Sequence, residues 1–187
     1  MKMQRKVWGS LAAAAIVLGG GYGISEVQGA AAGSTGSVSQ SKTLIGVAKA
    51  EANALKEAQG VVVSVDLEKK FSGTYYDVEI RKSNQEIDVR VDAYNGKIVK
   101  VRKETDNDDD DFNKAKQNGT IIGAGKAAAV AAASVKGNFD ELDLDEDDGI
   151  LFYEVKFRNG NTETEIGVDA YSGKIVYTDV DHDDDED

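Results

Sequence analysis

Apolar and polar residues alternate in several stretches of the chain, with the period of a β-strand that buries one face. Tyr76, Val78 and Ile80 alternate with Asp77 and Glu79. The same alternation recurs at residues 87–91, 151–157 and 166–168. Because short turns separate these runs, we expect an antiparallel meander with one buried face and one face in water.

A helical period precedes each set of strands. Between residues 44 and 58 the apolar positions recur at three- and four-residue spacing, and Gly60 follows as the predicted left-handed stop. Residues 121–135 show the same spacing before Gly137. The second helix is rich in alanine, so its stability should depend on close packing against the sheet.

The chain contains an internal repeat. Residues 43–101 match residues 120–178 at a constant offset of 77 without a gap, and the longest block pairs 91–99 (VDAYNGKIV) with 168–176 (VDAYSGKIV). We therefore predict an α+β fold built from two tandem copies of a helix packed on a small antiparallel β-sheet meander.

The turns of this meander are also visible in the sequence. Gly96 and Gly173 supply residues that tolerate positive φ, and Asp92 and Asp169 precede them as acceptors for nearby backbone amides. The previous reversals are predicted at Ser83-Asn84 and Gly160-Asn161. Each repeat is thus expected to run helix, strand, strand, strand and short strand.

The start of the chain has the layout of a secretory signal. Lys2, Arg5 and Lys6 precede an uncharged stretch at residues 7–24. Its strongly apolar part, residues 11–18, is far shorter than the roughly 20 residues that a spanning helix needs. We expect cleavage and a secreted or cell-envelope location without a membrane span, and an uncleaved anchor is the alternative.

The remaining boundaries follow from the repeat and from charge. The predicted segments are a signal peptide at 1–31, a flexible leader at 32–42, a first domain at 43–105, an acidic linker at 106–119, a second domain at 120–178 and an acidic disordered tail at 179–187. The acidic runs repel themselves, which favours solvated segments.

Composition narrows the chemistry. The chain has no Cys and a single His, which argues against disulfides, thiolate metal sites, Cys nucleophiles and His-dependent catalysis. Its formal charge is −12, and the acidic side chains concentrate in the second repeat and the tail. Such a surface repels phosphate backbones, so nucleic acid is not an expected partner, whereas cations and basic protein surfaces remain open.

The repeated motifs resemble those of the PepSY family. The resemblance rests on Tyr76-Asp77-Val78, its counterpart at 153–155, and the closing blocks at 91–99 and 168–176. It implies a module that binds or restrains peptidases at the cell surface and that has no catalytic residues. Neither repeat is followed by a protease domain, so the resemblance does not imply a propeptide acting on its own chain.

One segment partly matches a calcium-binding loop. Asp143, Asp145 and Asp147 fall at ligand positions one, three and five, and Glu154 falls at position twelve. Asp148 occupies position six, where the loop requires Gly. Because the repeat also places Glu154 in a strand, we expect a solvated acidic hairpin and no dedicated metal site.

The other candidate residues have structural interpretations. Asp92 and Asp169 occupy the same turn of different repeats, so we expect them to support turns and not to act as paired carboxylates. Tyr94 and Tyr171 are either exposed contact residues or rings that cover the sheet end, and we favour the second. His182, within the acidic tail, is a poor ligand candidate. We predict no catalytic, cofactor-binding or metal-binding residues.

Three functions remain to be weighed. The first is an exported, non-enzymatic protein-binding module that modulates or inhibits a peptidase and makes contact through its sheet edges and hairpin tips. The second is an acidic extracytoplasmic protein that binds divalent cations weakly or associates with the cell wall. The third, an enzyme, lacks both a nucleophile-base pair and a metal constellation and is not favoured.

Overall fold

Each repeat forms one helix and four antiparallel strands in the computed structural model, which describes residues 43–105 and 119–182. The first repeat contains α1 (Val47–Glu57), β1 (Val61–Lys70), β2 (Gly73–Lys82), β3 (Gln85–Asp92) and β4 (Ile98–Thr105). The second repeat contains α2 (Ala124–Ala132), β5 (Asn138–Asp147), β6 (Ile150–Asn159), β7 (Thr162–Asp169) and β8 (Ile175–His182). The α+β fold class and the element order are those predicted.

The eight strands form one continuous sheet. Its order is β4-β3-β2-β1-β5-β6-β7-β8, with every neighbouring pair antiparallel. The two repeats meet at β1 and β5, where Val65 faces Leu142 and only three residue pairs are in register. We call this β1–β5 pairing the seam.

Both helices cover the same face of the sheet, here called the helix side. The largest fully buried side chains lie on this side and come from both repeats: Tyr76, Ile80, Val65, Val78, Val89, Val91, Leu142, Tyr153, Val155, Ile166 and Val168. The helices contribute mainly alanines, whose small side chains allow a close approach. One hydrophobic core therefore extends across the seam.

An approximate twofold axis relates the repeats. Val65 and Leu142 are 77 positions apart and face each other at the seam. In the helix layer Ala48 and Gly125, also equivalent, are so close that a methyl group at Gly125 would lie 2.5 Å from the Ala48 Cα. The axis passes through both pairs.

Direct contacts join the repeats. The Tyr153 hydroxyl donates to the Val62 carbonyl at 3.3 Å. The Glu51 carboxylate accepts from the amides of Ala124 and Gly125 at 3.1 and 2.7 Å. Glu51 thereby satisfies two of the amides that the first turn of α2 cannot bond internally.

The structure corrects four details of the sequence analysis. Both helices begin three residues later than the apolar spacing indicates, because Ile45 and Ile122 instead donate backbone bonds to Ala93 and Ala170. They also end earlier, at Glu57 and Ala132. The second correction concerns the fourth strands, which are not short, since each has eight residues, as many as the third.

The third correction concerns Gly60, which is not a left-handed stop. It has no positive φ, and an added methyl group would lie 2.5 Å from the Arg81 carbonyl oxygen. A side chain is therefore excluded by the close approach of β2.

The fourth correction concerns the predicted disordered tail. Residues 179–182 are the last four residues of β8 and pair with β7. The signal segment, the leader, the linker up to residue 118 and residues 183–187 lie outside the described residues.

Candidate interaction edges of the sheet

The two ends of the sheet are β4 and β8, each paired on one side only within the described part of the chain. Nearly all of their residues are exposed. An edge strand presents backbone amides and carbonyls that can pair with another strand. These two strands are equivalent in the repeat, so the molecule carries one such edge at each end.

Both edges expose apolar side chains. Val99 and Val101 of β4 are 53% and 38% exposed, and Val176 and Val180 of β8 are 45% and 50% exposed. Val101 lies opposite the buried Val89, so it is on the helix side. Each edge therefore combines an open backbone with an apolar strip.

Charge distinguishes the two edges. Strand β4 carries Lys100, Arg102 and Lys103 with one acid, a net of +2. Strand β8 carries Asp179 and Asp181 and no Lys or Arg, a net of −2 with His182 neutral. Arg102 and Asp179 occupy equivalent positions, so the duplicated strand has acquired opposite charge in its two versions.

The face opposite the helices, here called the outer face, is lined with charged residues. Arg90 donates two hydrogen bonds to the Asp77 carboxylate, at 2.7 and 2.5 Å. In the second repeat the buried Lys156 lies 3.4 to 3.6 Å from carboxylate oxygens of three residues: Glu141, Glu154 and Glu165. Most basic groups on this face are thus already engaged within the chain.

The seam concentrates acidic groups on the outer face. Asp66 lies opposite Glu141 across the seam and opposite Asp77 on β2. Burial, followed by repulsion from Glu141 and Asp143, raises the pKa of Asp66 to about 7. This carboxyl group can therefore change its charge near neutral pH.

A second acidic group was not recognised from the sequence. Glu79, Glu86 and Asp88 bring carboxylate oxygens within 4.8 Å of one another on β2 and β3. Arg81 contacts Glu79 and Glu86 at 3.1 and 3.6 Å. Burial, followed by repulsion from Glu86, raises the pKa of Glu79 to about 7. In the sequence, these three residues are indicated only by their polar positions in the alternating patterns of β2 and β3.

The residues of the calcium-loop match lie in a β-hairpin. Asp143 is in β5 and faces Glu154 of β6 in the register. Asp148 and Gly149 form the reversal with φ of 50° and 79°, which is the left-handed pair that a tight hairpin turn requires. The segment therefore lacks the encircling path of a calcium loop.

The paired aspartates support turns, as expected. The Asp92 Oδ1 accepts from the amides of Tyr94 and Asn95 at 3.0 and 2.9 Å. Asp169 does the same in the second repeat, and its hydrogen bonds, chiefly those from Ser172, lower its pKa. Each aspartate thus fixes the reversal before the fourth strand.

The remaining candidates divide between the two interpretations. Tyr171 packs partly buried against the core, which agrees with a ring that covers the sheet end. Tyr94 is 38% exposed, and its hydroxyl lies 3.4 Å from the Thr74 Oγ1. The His182 Nδ1 lies 3.1 Å from the Thr162 Oγ1 at the end of β8.

Two cavities lie between the helices and the sheet. One of about 270 Å³ is lined by Ile45, Ala128 and Phe139 among others. The other, of about 200 Å³, is its counterpart in the repeat and is lined by Ile122, Glu51 and Val62 among others. Glu51 projects into the second cavity, whereas its equivalent, Ala128, leaves the first apolar.

None of the helices in residues 43–105 and 119–182 has the length and apolar character needed to cross a membrane. The architecture of each repeat, a helix on a four-stranded meander, defines a duplicated α+β module. Residues 44–102 and 121–179 each match PepSY, the peptidase propeptide and YPEB domain. The chain belongs to the PepSY family, as the sequence motifs predicted.

One curated protein and two solved structures are similar to this chain. The uncharacterized protein YkoJ of Bacillus subtilis (strain 168) is 30% identical over 134 residues, covering 71% of this chain and 73% of YkoJ. The crystal structure of CD1622 from Clostridium difficile 630 is similar in fold, with a TM-score of 0.50, 20% identity, and coverage of 75% of this chain and 97% of CD1622. YpmB of Bacillus subtilis gives a TM-score of 0.31 at 21% identity, covering 70% of this chain and 94% of YpmB.

Proposed function

We propose that this protein is an exported, non-enzymatic binding module that holds an extended segment of a protein partner, an extracytoplasmic peptidase, along an open edge of its sheet. The observation that carries the proposal is the pair of eight-residue edge strands, each open on one side within the described part of the chain and each with exposed valines. Addition of a strand supplies main-chain hydrogen bonds, and alternate side chains supply specificity.

The choice of a peptidase rests on the family. PepSY is described by its occurrence in peptidase propeptides, and propeptides contact the enzymes they precede. The proposed export rests on the basic and apolar start of the chain. We propose that the contact is made in trans, with a peptidase on a separate chain.

The test uses residues 32–187 and thermolysin as the probe. We expect micromolar binding by calorimetry and slower hydrolysis of a small peptide substrate by thermolysin. Replacement of Val101 or Val180 by Lys should weaken binding about tenfold at the edge that makes the contact, because the apolar strip is lost. Phe71→Lys is the matched control, since Phe71 is fully exposed at the β1–β2 turn.

Equal loss of binding in all three variants, or in none, would contradict binding at a sheet edge.

The runner-up function, cation binding, is favoured by the carboxylates of Glu79, Glu86 and Asp88. It predicts that calcium raises the melting temperature of the chain and that Asp88→Asn removes the rise. Because Arg81 already contacts two of these carboxylates, we expect no rise at micromolar calcium.

A further inference from the structure

The two open edges of the sheet can meet in three ways when two molecules associate. Pairing of β4 with β4 brings two edges of net +2 together, and pairing of β8 with β8 brings two edges of net −2 together. Like charges on facing strands are destabilising. Pairing of β4 with β8 is the one combination of these edges in which the charges are opposite.

The geometry points to self-association in which β4 of one molecule pairs, antiparallel, with β8 of a second molecule. This inference uses the open edges on which the proposed function also rests, but it requires no peptidase. Its occupant is a second copy of this chain, selected by charge complementarity.

The topology permits this pairing with both molecules in the same orientation. Seven antiparallel steps separate β4 from β8 in the sheet, so the two edges run in opposite directions. A second molecule placed beside the first in the same orientation therefore presents β8 antiparallel to β4. The helices of both molecules then cover the same face, and the apolar strips of the two edges lie on the same side.

One register places opposite charges and like apolar residues together. With Val101 opposite Val180 of the second molecule, Lys100 faces Asp181 and Arg102 faces Asp179. Lys100 and Arg102 lie on the outer face, opposite Arg90 and Asp88. Arg102 already contacts Asp88 at 2.8 Å within its own chain, so Asp179 would be a further acidic partner. Asp181 and Asp179 lie on the outer face as well, opposite Glu163 and Glu165. The pairs formed in this register therefore respect the two faces of the sheet.

The backbone also fits this register. Val180 corresponds to position 103 of the first repeat, which is two residues from Val101 and so directs its amide and carbonyl to the same side. The bulges within the fourth strands are equivalent too, with Val99 and Val176 as the extra residues. Hydrogen-bonding groups that point outward on β4 thus meet groups that point outward on β8.

Neighbouring registers are worse. A shift of two residues in one direction places Glu104 opposite Asp179, and a shift in the other places Arg102 opposite Tyr177. Both lose a charge pair and separate Val101 from Val180. The lysines of β4 repel a second β4 edge, as charged residues on edge strands commonly do. The same lysines are attracted to the acidic strand β8.

The association would be head-to-tail. After pairing, one molecule keeps a free β8 and the other keeps a free β4, so the sheet can extend through further molecules. Paired edges are covered, so self-association would compete with an extended partner segment for the same strands. The concentration of molecules with an open edge strand would then determine how much partner the protein binds.

Disulfide trapping tests the register, because the native chain has no cysteine. Residues 32–187 carrying Val101→Cys are mixed with the same chain carrying Val180→Cys and are oxidised. Facing residues have Cβ atoms close enough for a disulfide. We expect the mixed dimer in at least tenfold excess over either same-variant dimer. The matched control replaces Val180→Cys with Val176→Cys, which lies four residues out of register.

A charge swap tests the same contact without a covalent bond. Lys100→Glu and Asp181→Lys each create a like-charge pair between molecules, and we expect each to weaken association about tenfold in sedimentation velocity. The double variant carries both changes in one chain and should restore it. Within the chain, Lys100→Glu faces Arg90 and Asp181→Lys faces Glu163. Both changes place opposite charges together, so unfolding does not explain a loss of association.

Three outcomes would overturn the inference. The chain could stay monomeric at millimolar concentration. The control pair could cross-link as well as Val101→Cys with Val180→Cys. The double charge variant could fail to regain association after both single variants have lost it. Since thermolysin is absent from these experiments, a failure of peptidase binding leaves their outcome unchanged.

Discussion

Equivalent carboxylates on the outer face have different hydrogen-bond partners in the two repeats. In the first repeat, Asp77 accepts a two-bond contact from Arg90, and the guanidinium lies 5.4 Å from the centre of the Tyr75 ring. In the second repeat the equivalent Glu154 accepts from the Tyr177 hydroxyl at 2.7 Å. The carboxylate is bonded by an arginine in the first repeat, whereas in the second it is bonded by a tyrosine hydroxyl and lies 3.4 Å from Lys156.

The contact of Tyr177 with Glu154 in the second repeat also requires a glycine in the neighbouring strand. Gly167 stands where the first repeat has Arg90, and a methyl group there would lie 2.1 Å from the Tyr177 ring. Tyr177 packs edge-on against Phe152 with centroids 5.5 Å apart. After duplication, the outer face and the edges have diverged in charge, while buried residues of the helix side such as Tyr76, Val78 and Val91 recur as Tyr153, Val155 and Val168. The core preserves the fold, and the exposed surfaces are free to differentiate.

The largest expected effect comes from separating the repeats. Residues 43–105 expressed alone lose Leu142 opposite Val65 and the Tyr153 bond to Val62. Each large buried apolar side chain contributes about 1.5–3 kcal/mol, so we expect the free energy of unfolding to fall by more than about 3 kcal/mol relative to residues 32–187. Urea denaturation followed by circular dichroism measures the difference.

The sequence alone predicts that each repeat folds by itself, since every helix, strand and turn signal lies within about 60 residues, a marginal but feasible size. Residues 118–182 expressed alone provide the matched measurement on the second repeat. Equal stability of either single repeat and the pair would show that the seam contributes nothing.

The turn glycines should respond differently in the two repeats. Gly96 and Gly173 have φ of 73° and 72°, so Val at either position should cost about 1–3 kcal/mol of backbone strain. A side chain at Gly96 also meets the Asn53 Nδ2 at 2.6 Å, whereas the nearest atom at Gly173 is the Ile122 Cδ1 at 3.6 Å. We expect Gly96→Val to lower the urea midpoint more than Gly173→Val. The reverse order would contradict this interpretation.

Removal of the Glu51 carboxylate should have a smaller effect. Glu51→Ala leaves the amides of Ala124 and Gly125 without their acceptor, and loss of such a cap costs about 1–2 kcal/mol. Glu57→Ala is the matched control, because Glu57 is an exposed acid at the other end of α1. If both variants melt at the same temperature, the cap between repeats does not stabilise the fold.

Local features of the fold could be predicted from the sequence, and contacts between distant segments could not. Gly96 and Gly173 reverse the chain with positive φ, as their residue type indicates, and the predicted reversal at Ser83 is also present. The prediction of a left-handed helix stop at Gly60 is wrong, because glycine is required there by the close approach of Arg81, 21 residues away. Local sequence does not report such an approach.

The seam and the edges show the same limit. The apolar positions of Val65 and Leu67 in β1 agree with the buried face, but they do not indicate that β5 is its neighbour. The opposite charges of Arg102 and Asp179 are visible in the sequence, yet they become informative only once the sheet order places both strands at its ends. The acidic composition of residues 179–182 suggested a tail, whereas pairing with β7 makes them a strand.

The last prediction concerns the broken symmetry of the seam. Asp66 and Asp143 are equivalent, but Asp66 faces Glu141 whereas Asp143 faces Ser64. Groups near Asp66 come from its own strand (Glu68), from β2 (Asp77) and from β5 (Glu141 and Asp143). The nearby cations are engaged elsewhere, Arg90 with Asp77 and Lys156 with Glu141. Repulsion at Asp66 is therefore not offset locally.

Stability should fall as pH rises because of this residue. The pKa of Asp66 is about 7 in the folded chain, against 3.8 ordinarily, so between about pH 4 and 7 the folded state holds a proton that the unfolded state has released. Stability due to Asp66 thus declines across that window and is constant above it. Asp66→Asn removes the share of the decline that is due to Asp66, while Glu79, whose pKa is also about 7, keeps its own share. At pH 8 we expect Asp66→Asn to exceed the native chain by about 1 kcal/mol, since each pKa unit corresponds to about 1.4 kcal/mol but water and salt screen the seam. Urea midpoints at pH 5 and 8 measure the change. Asp143→Asn is the control and should gain less at pH 8, and an equal gain would show that the facing Glu141 is not the cause.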